Sequence, residues 1–230
     1  MAKKIKKHKH HEIKEDKFVT NALLFYEFLQ NHWKKVAFGV GAVIVIIVLI
    51  VSLTSHSGKV NIMALRQFDE ALALYDANQG DKAEEAFLQL LDEYGSSKYS
   101  GLTYLYLGKI NIEKSDPDAD LAETYFKKAK SKLKQQVLKE AAWLGLAECT
   151  RVQKGDEAYY EFLGRLMKKF PDSYNVPQLA YKIAEYYFET DNYDQATKYY
   201  SIIVDKYNTT TNFYKAKQQL EYIEQLLQDA

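Results

Sequence analysis

The sequence predicts an all-α chain: a single N-terminal transmembrane helix, then an α-solenoid of about four helical hairpins plus a closing helix. Three observations carry this reading. Val36 to Leu53 reads VAFGVGAVIVIIVLIVSL, without a charged, amide or histidine side chain. The chain holds only 3 prolines and 10 glycines in 230 residues and is dominated by Ala, Leu, Lys, Glu and Tyr, a helix-favouring composition. A small residue followed four positions later by an aromatic recurs at intervals of 39, 36 and 38 residues. Nowhere does apolar–polar alternation persist long enough to suggest strands.

Taken in order, residues 1–17 form a basic leader. Lysine- and histidine-rich, with almost nothing to bury, it is expected to be disordered near anionic headgroups. From 18 to 35 the pattern changes. Val19, Ala22, Leu23, Tyr26, Leu29 and Trp33 recur at helical spacing opposite Asn21, Glu27, Asn31 and Lys34, which predicts an amphipathic interfacial helix. Two roles stay open for it: orienting an anchor, or binding another membrane protein.

The span occupies 36–55. The 18 residues from Val36 to Leu53 rise about 27 Å as a helix, close to the hydrocarbon thickness of a bilayer. Residues 1–35 carry nine lysines against four acidic residues, with Trp33, Lys34 and Lys35 marking the membrane interface. The lysine bias puts the N-terminus in the cytoplasm and residues 56–230 outside it. The run begins too deep in the chain, and exceeds the usual length, for a cleaved signal, so an uncleaved single-pass anchor is expected.

Beyond the span, Ile62 to Asn78 predicts a first helix with Leu65, Phe68, Ala71, Leu72 and Tyr75 on its apolar side. The repeated pairs are Ala83/Phe87, Ala122/Phe126, Ala158/Phe162 and Ala196/Tyr200, each following a short turn. Small residues upstream, at Ala71, Gly108, Gly145 and Ala184, precede them by 12, 14, 13 and 12 positions and mark where the antiparallel first helix approaches. Asn212 to Gln228 predicts the closing helix, with Phe213, Ala216, Leu220, Ile223 and Leu227 as its stripe. Cys149 sits mid-helix as a small buried residue, and a lone cysteine leaves helix packing to hold the domain together.

The unit from Ala180 to Tyr207, with Ile183-Ala184, Tyr187, Ala196 and Tyr200 at its small and large positions, resembles a tetratricopeptide repeat. Phe170-Pro171-Asp172-Ser173 is similar to the inter-repeat turn of bacterial envelope repeat proteins. An N-terminal span followed by such repeats resembles the YfgM-like ancillary subunits of the Sec translocon. That resemblance implies the bacterial cytoplasmic (inner) membrane and a periplasmic repeat domain serving envelope proteins or secretory clients. It also implies that the first helix of each hairpin lines a concave face. The protein-binding candidates there are Phe68, Leu72 and Tyr75, then Leu105, Lys109 and Ile112, then Leu146, and finally Tyr181, Glu185 and Phe188. At each position, packing against the next repeat competes with ligand contact.

Little points to chemistry. Every histidine (His8, His10, His11, His32 and His56) precedes the repeats, and no nucleophile–base set, phosphate loop or cysteine pair appears. Neither an enzyme nor a cofactor, metal or small-molecule substrate is expected. Residues 36–230 carry a net charge of −5, which argues against nucleic acid. The expected function is a membrane-anchored protein-binding scaffold or adaptor. The alternative is a structural accessory subunit of a larger membrane complex, docked through residues 18–55.

Overall fold

The computed structural model describes residues 46 and 58–228. The leader, the interfacial segment with Trp33, Lys34 and Lys35, and the apolar run apart from Ile46 lie outside the described residues. Among the described residues there are nine helices and no strand. α1 occupies 58–76, followed by α2 (Gly80–Tyr94), α3 (Ser100–Glu113), α4 (Ala119–Lys132) and α5 (Gln136–Lys154). Then come α6 (Asp156–Lys169), α7 (Val176–Glu189), α8 (Tyr193–Lys206) and α9 (Thr211–Gln228).

Local chemistry sets the ends of these helices. Asp118 caps α4 by accepting from the Leu121 N–H at 3.0 Å, and Asn192 caps α8 by accepting from the Gln195 N–H at 3.3 Å. Pro177 stands in the first turn of α7, where its missing N–H is harmless. Acidic residues open the second helices (Asp81, Asp120, Asp156, Asp194), and lysines close α4, α6 and α8, as the helix dipole favours. Asn78 (φ 56°), Gly155 (φ 88°) and Asp191 (φ 58°) supply the left-handed residues of three hairpin turns.

Consecutive helices pair as antiparallel hairpins, α1/α2 through α7/α8, and α9 covers the last. Each second helix packs on the first helix of the following hairpin. In addition α3 meets α5 and α7 meets α9, whereas no two second helices make a comparable contact.

Three overlapping cores run through it. Phe68, Ala71, Ala83, Phe87 and Leu90 fill the first, with Leu107 and Ile110 from α3. Leu105, Ala122, Phe126, Ala142, Leu146 and Cys149 fill the second. The third, around Leu163, Ile183, Ala184, Ala196, Tyr200 and Ile203, reaches Ala216 and Ile223 of the closing helix. The buried Cys149 of the sequence reading is among them.

Three details of that reading are corrected. In the third hairpin the core pair is Tyr159 and Leu163, not Ala158 and Phe162, which are only half-buried. Its small residue is Ala147, 12 positions before Tyr159, and this restores the spacing of the first and fourth hairpins. Gly145 serves a different neighbour: a Cβ there would run into the ring of Phe126 on α4. In α1 the buried side is Ala64, Phe68 and Ala71, while Leu65 is 39 % exposed beside exposed Ile62 and Met63. In α9, Leu227 faces water.

The two edges of the stack differ. One edge collects the loops between hairpins, and contacts link them in sequence. The Lys98 N–H donates to Asn61 Oδ1 at 2.9 Å, Gly101 abuts Leu133, the Ser173 hydroxyl donates to Glu140 at 2.5 Å, and the Asn212 amide donates to the Pro177 carbonyl at 3.4 Å. The other edge collects the turns inside hairpins. Lys114 pairs with Glu84 at 2.8 Å there, and Gln153 donates to Asp120 at 2.8 Å.

Candidate protein-binding face

The face expected to bind is carried by α1, α3, α5 and α7. Of the predicted residues, Phe68, Leu105 and Leu146 are each only 6 % exposed and belong to the cores. Phe68 packs within 6 Å of the Phe87, Tyr99 and Tyr106 ring centres. Ile112 is half-buried against the second core. The other six candidates form two groups.

Tyr75 and Lys109 come together at the N-terminal end, and Leu72, three positions before Tyr75, is half-buried against the first core. The Tyr75 hydroxyl donates to Glu113 at 2.7 Å, and its ring meets Tyr106 edge-on at 5.3 Å. Lys109 Nζ lies 5.2 Å from the Tyr75 ring centre and 5.4 Å from that of Tyr106, a cation held over two π faces. Burial, then the hydrogen bond to Glu113, pushes the Tyr75 pKa upward, so this hydroxyl stays a donor at neutral pH. Beside the cluster opens a cleft of about 380 Å³ lined by Tyr75, Asp76, Asn78, Asp81, Ile110 and Glu113, among others. Asp76, Asp81 and Glu113 bring three carboxylates to its lining and Lys114 one ammonium.

Tyr181, Glu185 and Phe188 form the second group. Glu185 accepts a short hydrogen bond from the Tyr200 hydroxyl, and the Tyr181 and Tyr200 rings meet edge-on at 5.7 Å. Phe188 packs on Tyr193 at 5.7 Å and on Tyr222 of α9 at 6.0 Å, which bounds the face at its C-terminal end.

Between them, the corrected third hairpin sets Glu148 and Arg151 at the positions equivalent to Lys109 and Ile112. Glu148 accepts from the Tyr159 hydroxyl at 2.8 Å, and Lys182 of α7 donates to that same oxygen at 2.6 Å, tying three helices together. Sequence reasoning missed Tyr106, Glu113, Glu148 and Arg151. Aligning the repeats on their small residues shows the signal for Glu113. Five positions beyond Ala71, Gly108 and Ala184 stand Asp76, Glu113 and Glu189, an acid at the end of three first helices.

The arrangement can bind but has no evident reacting group. Among the described residues no cluster of three His, Cys, Asp or Glu side chains is placed to hold a metal ion. Burial pushes the Cys149 thiol up to about 12, which leaves it inert. Among the described residues no helix is long and apolar enough to cross a membrane; the run from Val36 to Leu53 lies outside them apart from Ile46. No curated protein matches the chain significantly. The tetratricopeptide repeat-like domain family matches residues 26–222, and a match over so much of the chain, with stacked helical hairpins beneath it, shows that the protein belongs to that family.

Proposed function

We propose that this chain is a membrane-anchored scaffold whose first-helix face binds another protein, with residues 36–55 as the anchor. The observation that carries it is the Tyr75–Tyr106–Lys109–Glu113 cluster beside its acidic cleft: aromatic rings, a cation and carboxylates fixed on rigid helices next to open space. Such a surface suits an extended segment carrying basic and apolar side chains. Family membership and the lack of a nucleophile–base set favour a binding domain over an enzyme. The apolar run, the lysine bias before it and the resemblance to YfgM-like subunits of the Sec translocon favour the bacterial inner membrane, a periplasmic repeat domain and envelope or secretory clients.

A second reading is kept by one observation. The family match begins at residue 26, ten positions ahead of the apolar run, so it takes in part of the amphipathic segment. Docking of a structural accessory subunit through 18–55 is consistent with that. Capture of the full-length protein from membranes separates the two. Loss of a stoichiometric partner on Lys109→Glu with Glu113→Lys, but not on replacing 18–55 by an unrelated span, supports the groove. The reverse pattern supports docking through the anchor. Protease added to intact spheroplasts is expected to cut residues 59–230, and protection until lysis would remove the periplasmic assignment.

A further inference from the structure

Residues 127–139 carry six lysines and no acidic residue, inside a portion of the chain whose net charge is negative. The fold gathers them at one place. They close α4, form the connection to α5 and open α5, all on the edge that holds the loops between hairpins. The C-terminus of α6 adds Lys168 and Lys169 to the same edge. Trp143 joins the two sets: Lys130 Nζ lies 4.0 Å from its ring centre and Lys169 Nζ 5.2 Å. Among the described residues, Lys130, Lys132, Lys134, Lys139, Lys168 and Lys169 have no carboxylate within ion-pair distance, whereas Lys127 is held by Glu123 at 2.7 Å. Val137 and Tyr174 stand exposed on this edge, at 54 % and 72 %. Glu140, the one acid at the start of α5, is buried under Ser173.

The opposite edge has the reverse character, with Asp76, Asp81, Asp116, Asp118, Asp156 and Asp191 at or near its turns. A stack polarised this way has a preferred orientation in an external field.

The basic edge is also the edge on which α1 begins. The contact between Asn61 and the Lys98 N–H sets the start of α1 level with the first of the inter-hairpin loops. Only eight positions separate Asn61 from Leu53, the last residue of the apolar run. That is about 12 Å of chain if helical and no more than about 28 Å if extended. Charge on this edge acts over about 8 Å at physiological salt.

We propose that this lysine edge, centred on Trp143, rests on the anionic headgroups of the bilayer that holds the anchor, so that the acidic edge points away and the first-helix face stands across the membrane plane. Clustered lysines flanked by Trp, Tyr and an exposed aliphatic residue are the chemistry of an anionic lipid surface. The inference rests on the reading of 36–55 as a membrane span.

The test uses the full chain in nanodiscs of phosphatidylcholine alone or mixed with phosphatidylglycerol, with a headgroup quencher in the lipid. A fluorescent reporter is placed on the basic edge (Gln135→Cys) or on the opposite edge (Asp116→Cys), Cys149 being buried. The reporter at 135 is expected to be quenched at least about twofold more with phosphatidylglycerol, the excess disappearing at about 0.5 M salt. The reporter at 116 is expected to read the same in both lipids. Lys130→Glu with Lys132→Glu and Lys139→Glu is expected to abolish the excess at unchanged helical content, and the salt titration needs no variant to fold. Equal quenching in the two lipids by a chain that has inserted overturns the docking and leaves the anchor standing. Failure to insert at all overturns both.

Discussion

The seam between the second and third hairpins and the interior of the fourth hairpin solve one packing problem with opposite residues. At the seam, Phe126 of α4 lies against two glycines. A Cβ at Gly108 on α3 would come within 2.8 Å of the ring, and one at Gly145 on α5 would overlap it. In the fourth hairpin the small residues are Ala184 and Ala196, and the large one is Tyr200, whose hydroxyl reaches Glu185 at the margin of the core. Glycine admits a closer helix at a helix-propensity cost of about 1 kcal/mol per position. Alanine avoids that cost, and the tyrosine then needs a polar partner. The seam depends on shape, while the fourth hairpin depends on shape and one hydrogen bond.

Four measurements sharpen this contrast, beginning with the largest effect. Phe126→Ala is expected to lower stability by about 3–5 kcal/mol in urea unfolding followed by circular dichroism, because the cavity lies between two backbones that cannot close on it. A loss under about 1 kcal/mol would mean that the seam collapses freely. Gly145→Ala is expected to lose about 1–3 kcal/mol although alanine is the better helix former, and Phe126→Leu should recover part of that loss in the double variant. A net gain from Gly145→Ala alone would break the contrast.

Tyr200→Phe probes the other side. It removes the donor to Glu185, and a loss of about 1 kcal/mol at neutral pH is expected. The pH dependence carries a sign. Burial, then the bond to Glu185, raises the Tyr200 pKa, and burial with Glu148 does the same for Tyr159. A raised tyrosine pKa contributes stability that is complete below the ordinary value near 10 and is lost as the pH climbs from there through the folded value, at about 1.4 kcal/mol per pH unit for each tyrosine. The Tyr200→Phe variant should therefore lose stability less steeply above pH 10 in parallel urea titrations. Identical slopes would show that this hydroxyl is not shielded. The smallest effect is expected on the closing helix. Lys217→Ala removes an exposed pair with Glu221 at 4.0 Å and should change stability by less than about 0.5 kcal/mol.

How far the fold was legible follows from the same residues. Hairpin number, turn positions and the small–large pairs of the first, second and fourth hairpins could be read because close approach and a four-residue step leave a pattern in the sequence. The third hairpin carries the same letters at Ala158 and Phe162, yet its core lies one position on. α5 runs to Lys154 and a single residue, Gly155 at φ 88°, turns the chain directly into α6, so turn length rather than residue type fixes the register. The Gly145 register puts Leu146 on the face, whereas the Ala147 register puts Glu148 and Arg151 there. Lys109, Tyr181 and Glu185 keep the register that the sequence gives them because their hairpins hold the 12- and 14-residue spacings anchored on residues that are buried. The lysine edge is invisible to a net charge summed over 195 residues, which averages away six lysines in a stretch of thirteen.

The overlapping cores also set how the stack comes apart. Leu102 and Tyr104 serve both the first and second cores, and Phe162 serves both the second and third, so the second and third hairpins are gripped from two sides. α9 is gripped from one, with Ala216 and Ile223 as its only fully enclosed apolar residues. α9 is therefore expected to fray ahead of the α7/α8 hairpin it covers, like a zip with its slider at the far end. A ligand reaching Phe188 and Tyr222 would act as a stop on that slider, and occupancy there would be read out as delayed fraying rather than as any change of shape.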